Sequence, residues 1–262
     1  MVKAHRLNHI LSNNKLGSSE LVNLLNSYFL SIKYKKQEII RTIKQAEIKL
    51  GHFEAVNAYL NKLNSILKGK NKTELINFLY EYSKQEANKI EIIFNKIYPH
   101  LKNLQSVITL SRSGTIIEIL KLWHQKNKRI KVVVCESRPM LEGRLMAVEL
   151  AANEIKVELI TDAMMGLNVP KTDAAIISAD VVFKNGNVVN KVGSQSLALL
   201  CKEYKKPFYV VSTKSKISKR KYFNLRKENP QEIFDKKVRN LSVSNIYFEA
   251  VEKKLIAKIF TD

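Results

Sequence analysis

The chain has 262 residues, enough for one large domain or two modest ones and for a sizeable core without disulfides or metals. Its 45 lysines and arginines against 24 acids give a net charge of +21, an excess densest in the last 62 residues. Such a surface attracts polyanions, but no aromatic stacking motif or nucleic-acid fold signature accompanies it, so any nucleic-acid binding is expected to be non-specific. No run of 18 apolar residues occurs and no apolar core follows the amino-terminal charges. Neither a membrane span nor a secretory signal is expected, and a cytoplasmic protein is. The two cysteines, Cys135 and Cys201, sit in apolar segments and read as buried thiols. The five histidines, His5, His9, His52, His100 and His124, are scattered, so no metal site is expected.

Residues 18–97 read as helices. Leu21, Leu24, Leu25, Phe29 and Ile32 recur at helical spacing, as do Ile39, Ile40, Ile43 and Ile48, then Leu60, Leu63, Ile66 and Leu67. Asn71-Lys72-Thr73-Glu74 reads as a helix start before Leu75, Phe78, Leu79, Ile90, Ile93, Phe94 and Ile97. Pro99 interrupts the pattern and marks a boundary, with residues 1–99 a helical domain. Nothing in that half carries a chemical motif.

After it, short apolar runs alternate with helical segments: Val107–Leu110, then 114–126; Lys131–Cys135, then 140–153; Val157–Ile160; Ala174–Ile177; then 194–204; then Phe208–Val211. The alternation predicts a mainly parallel sheet with crossover helices, so the fold class is α/β: a helical amino-terminal domain followed by a Rossmann-like domain over 100–262. No GxGxxG occurs, so a dinucleotide is not implied and no cofactor is expected.

Open α/β sheets build their sites at the carboxyl ends of strands. Four polar loops fall there. Ser111-Arg112-Ser113-Gly114 follows a strand and opens a helix, which suits an anion or an ordinary capped helix. Glu136 and Arg138, with Arg144 downstream, either bind a phosphate or carboxylate or pair with neighbouring charges. Thr161-Asp162 is the third. The fourth holds Asp180, Asn190 and Lys191, with Gly193 at a helix start. A carboxylate, an amide and an ammonium gathered there can hold a phosphorylated sugar.

These blocks, with Lys206-Pro207-Phe208-Tyr209-Val210 and the closing Tyr247-Phe248-Glu249-Ala250-Val251, occur in an order that resembles the regulatory subunits of translation initiation factor 2B. That superfamily includes methylthioribose-1-phosphate isomerase and ribose-1,5-bisphosphate isomerase. The resemblance covers roughly residues 104–262. It implies a dimer or higher oligomer formed through the carboxyl-terminal domain, near the 193–204 helix and the 244–258 tail. It also implies a pocket for a sugar phosphate or nucleotide between the domains, and a partner in the alpha subunit of initiation factor 2. In the isomerases a cysteine and an aspartate form the acid/base pair, with an asparagine and a lysine beside them. The aspartate matches Asp180, the asparagine Asn190 and the lysine Lys191.

The cysteine does not match: Ser111 stands at its position, and the isomerases' amino-terminal Arg-Gly segment is absent. A thiol can be tuned to titrate near neutrality, whereas an alcohol needs a base beside it. The sequence therefore points to a non-catalytic, archaeal-type factor that binds a small phosphorylated ligand through Ser111, Arg112, Ser113, Gly114, Glu136, Arg138, Arg144, Asp180, Asn190 and Lys191. The alternative is an aldose–ketose isomerase working through Asp180.

Overall fold

The computed structural model describes residues 2–13, 16–32, 34–51, 53–69, 72–218 and 225–262. His52, Asn71, Lys219, Arg220 and Lys221 lie outside the described residues. Five helices come first: α1 (Val2–Leu11), α2 (Ser18–Ser31), α3 (Lys36–Leu50), α4 (Glu54–Lys68) and α5 (Lys72–Leu101). Leu21, Leu25, Phe29, Ile39, Leu60, Leu63 and Leu79 are fully buried in their shared core. The expected stripe on α3 needs correction. Ile40 and Ile48 are 37% and 81% exposed, and the buried spacing is Ile39, Ile43, Ala46 and Leu50, which stays on one face of the helix. Buried Asn26 ties three helices together: it donates to the Leu79 carbonyl (2.9 Å) and accepts from the Tyr59 hydroxyl (2.8 Å).

Pro99 does not end α5, which runs on to Leu101. A proline in the last turn removes one helical hydrogen bond where the helix is about to stop, so its cost is small there. Helix α5 contributes to two cores. Leu75 and Leu79 pack among the helices, and Ile93, Phe94, Ile97 and Leu101 pack against the sheet.

The six-stranded sheet consists of β1 (Ser106–Leu110), β2 (Lys131–Cys135), β3 (Lys156–Ile160), β4 (Ala174–Ser178), β7 (Phe208–Val211) and β10 (Lys258–Phe260). Its order is β10-β7-β4-β1-β2-β3 and every pairing is parallel. Helices α6 (Gly114–Lys126), α7 (Glu142–Ala152), α8 (Met165–Asn168) and α9 (Ser194–Glu203) connect it. Alternating strand residues feed opposite cores. Val107, Val132 and Val134 pack with Trp123 of α6, while Ile108, Val133 and Ile177 pack with Leu197 of α9.

A second sheet, absent from the sequence reading, holds β5 (Val181–Phe183), β6 (Val188–Lys191), β8 (Ile217–Ser218) and β9 (Phe248–Val251) in the order β8-β5-β6-β9. Strands β5 and β6 form an antiparallel hairpin that turns through Asn185-Gly186, with Gly186 at φ +86°. Asp180 and Lys191 are thereby brought back to the same end of a hairpin.

Candidate functional site

The strand order reverses beside β1: β2 and β3 lie on one side, β4, β7 and β10 on the other. The crevice that opens at such a point is the expected ligand position of an open α/β sheet. Ser111 leaves β1 there and Asp180 leaves β4. The start of α2 closes over them, and Ser18 Oγ donates to Asp180 Oδ1 (3.0 Å). A cavity of about 260 Å³ results, walled by Ser111, Arg112, Glu142, Asp180, Lys191 and Tyr247 on one side and by Leu50 and Phe53 of the helical region on the other. Four of the ten expected ligand residues therefore line it. Ser113, Gly114 and Asn190 border a small recess of about 20 Å³ shared with Ser111, Arg112 and Asp180.

Three of the ten do not line either space. Arg144 is exposed and donates through Nε and Nη2 to Glu136 Oε2 (3.1 and 2.6 Å). Arg138 is also exposed, and its backbone N–H is held by Asp162 Oδ2 (2.7 Å). Glu136 and Arg144 thus pair with each other, and the arginines do not converge on a phosphate. Asp162 braces the loop, since its other oxygen accepts from the Ser137 backbone (2.8 Å). Ser113 is the N-cap of α6 and accepts from Ile116 N–H. The Asn190 amide is spent on Ser194 Oγ (2.9 Å) at the start of α9, where Glu249 also caps the Gly193 and Gln195 N–H groups.

The residues that the sequence reading missed are acids. Glu142, buried at the start of α7, accepts from Lys191 Nζ (2.7 Å) and from Ser111 Oγ (3.1 Å), both through Oε1. Lys191 Nζ also lies over the Tyr247 ring, 4.6 Å from its centroid. Glu20 of α2 takes both its oxygens to Arg112 Nη1, while Nη2 goes to Glu149 (2.8 Å). Burial opposes the Arg112 charge, but these carboxylates raise its pKa nonetheless. Tyr247 donates to Glu232, and burial together with that carboxylate raises its hydroxyl pKa. Helix-start acids usually read as capping groups, so nothing local marked Glu20 or Glu142 as partners of Arg112 and Lys191.

Burial and, less strongly, Asp162 push the Cys135 thiol up to about 12, so the cysteine nearest the site is inert near neutrality. Among the described residues no His/Cys/Asp/Glu group is arranged to hold a metal, and no helix is long and apolar enough to cross a membrane.

Fold and cavity together define an α/β protein whose helical region closes a polar pocket over the switch point of a parallel sheet. Residues 17–262 match the model of the initiation factor 2 subunit family, and the chain belongs to that family. A protein named as a putative translation initiation factor eIF-2B subunit 2-like, from Pyrococcus horikoshii, is 36% identical over 157 residues, 60% of this chain and 55% of the relative. The chain thus spans little more than half of that relative's length. A methylthioribose-1-phosphate isomerase from Petrotoga mobilis is 32% identical over 238 residues, covering 79% of this chain and 68% of the isomerase. The crystal structure of a Pyrococcus horikoshii translation initiation factor eIF-2B shares the fold, with a TM-score of 0.80 at 24% identity over 99% of this chain and 94% of that one.

Proposed function

We propose that this chain is a regulatory subunit of the initiation factor 2B type, oligomeric and cytoplasmic, which holds a small ligand between its helical region and its sheet and does not turn it over. One observation carries the reading. Ser111 stands where the resembling isomerases carry their cysteine, and its hydroxyl donates to a carboxylate already paired with an ammonium. Such a carboxylate orients the hydroxyl instead of removing its proton, so Ser111 does not replace the isomerases' cysteine as a proton-exchanging group. Asp180 alone supplies one half of an acid/base pair.

The isomerase alternative keeps one observation in its favour: Asp180 lies in the cavity, free of any strong ion pair, with Lys216 Nζ 3.8 Å away. Two assays separate the readings. The chain should capture the alpha subunit of initiation factor 2 and should not convert ribose 1,5-bisphosphate or methylthioribose 1-phosphate. Turnover at ordinary enzyme rates, abolished by Asp180→Asn, would overturn the regulatory reading.

A further inference from the structure

Two cationic positions of the site, Arg112 and Lys191, are already occupied by the chain's own carboxylates. Arg112 and the start of α6 are expected to gather an anion, since a helix start with an adjacent guanidinium favours one. Glu20 sits there instead: its oxygens hold Arg112 Nη1, and a Cβ on Gly114 would lie 3.1 Å from its side chain. Lys191 is the second position, and Glu142 holds it at 2.7 Å. Across the whole cavity wall, Lys49, Arg112, Lys191 and Arg226 are matched by Glu142, Asp180, Glu228 and Glu232. A pocket tuned for a phosphate dianion would carry an excess of cations.

Glu142 is the more telling of the two acids. It is 3% exposed, and among the described residues its Oε2 has no hydrogen-bond partner. A buried carboxylate oxygen without a donor is unfavourable, and a buried ion pair adds little net stability over apolar packing. Stability therefore does not account for Glu142. The backbone goes to some length to place it: Leu141 adopts φ +59°, and Gly143 abuts the end of β2.

We propose that Glu142 is a specificity-determining residue, an internal anion that closes Lys191 to phosphate, so that the group a ligand brings to this wall is an uncharged hydrogen-bond donor such as a sugar hydroxyl. This deepens the ligand-site reading above and replaces the expectation that Lys191 binds phosphate. It stands apart from the partner role, which is read by capture and not by anion affinity.

The test is titration of the full chain with inorganic phosphate at constant ionic strength, read by phosphorus NMR and by melting temperature. Glu142→Gln should bind phosphate at least about tenfold more tightly than the unmodified chain, the scale of one freed charged hydrogen bond. The double variant Glu142→Gln with Lys191→Gln should lose that gain, which separates this site from the general attraction of a +21 surface. Should Glu142→Gln lose its cooperative melting, Glu142→Ser takes its place. No gain in phosphate affinity in either single variant overturns the proposal. So does an unmodified chain that binds phosphate with Kd below about 1 mM and loses it on Lys191→Gln.

Discussion

Glu20 and Arg112 are 92 residues apart and meet at 2.6–2.7 Å, one guanidinium nitrogen reaching both carboxylate oxygens. The contact ties the first turn of α2 to the loop after β1, and Glu20 also accepts from the Gly17 N–H (3.2 Å). Glu20→Ala removes both and leaves Arg112 with Glu149 alone. It should destabilise the fold by about 1.5–3 kcal/mol, the scale of hydrogen bonds to a charged group. The urea midpoint measures this, and a change within about 0.5 kcal/mol would show the junction to be a solvated surface pair.

Burial raises both thiols, Cys135 and Cys201, to about 12. Each binds its proton more tightly in the folded chain than in the unfolded one, where the ordinary value applies. Their contribution to stability is therefore complete below pH ~8.5 and is lost as pH rises from there toward 12. In the native protein at pH 8 neither should react with a thiol reagent on the time scale of minutes, and both should react at once in denaturant. Rapid native labelling of Cys135, mapped by peptide mass, would instead make it a candidate catalytic thiol.

Assembly should use an exposed apolar surface that takes in the 193–204 helix singled out by the sequence but not the 244–258 tail. The 244–258 tail leaves no large apolar side chain exposed among the described residues. Val148 of α7 is 70% exposed and Leu167 of α8 is 64% exposed, with Leu145, Leu159 and Leu199 also uncovered on α7, the edge strand β3 and α9. Exposed apolar residues in such number suit an interface between copies. Val148→Asp should convert a dimer to a monomer in light scattering at micromolar protein without altering the circular dichroism. An unmodified chain that is already monomeric would remove this face from consideration.

Five of the six strands of the large sheet were legible because they are short apolar runs, mostly β-branched, bounded by polar turns, whereas the three-residue β10 was not. Val107–Leu110 and Lys131–Cys135 match β1 and β2 almost to the residue, and α6 spans 114–126 as its spacing suggests. The second sheet was not legible: Val181–Phe183 and Val188–Lys191 are too short to show a period, and their Asn185-Gly186 turn reads equally as a polar loop. In the site, Ser111 and Asp180 could be placed together because both leave strands at one edge. The pairing of Lys191 with Glu142 could not, since contact between the end of β6 and the start of α7 depends on the direction in which α7 leaves β2. That direction also turns Arg144 outward to Glu136, where the sequence alone suggested a phosphate.

Gly143 fixes that direction. Its N–H donates to the Glu136 carbonyl (3.2 Å), and a Cβ built on it would lie 1.9 Å from the Cys135 carbonyl oxygen. The clash is with backbone at the end of a central strand, so no rotamer relieves it; either α7 or β2 must move. Gly143→Ala should therefore destabilise the fold by about 1–3 kcal/mol, the usual cost of overpacking. It should do so despite alanine's better helix propensity, worth ~1 kcal/mol in the opposite direction. The shift of α7 would also draw Glu142 away from Lys191 and Ser111. In the Glu142→Gln background the same substitution should then cost as much stability but change phosphate affinity little, because the internal anion is already gone. Chemical denaturation of Gly143→Ala checks the first part. A variant as stable as the parent would mean that the start of α7 is not seated on the β2 carbonyl.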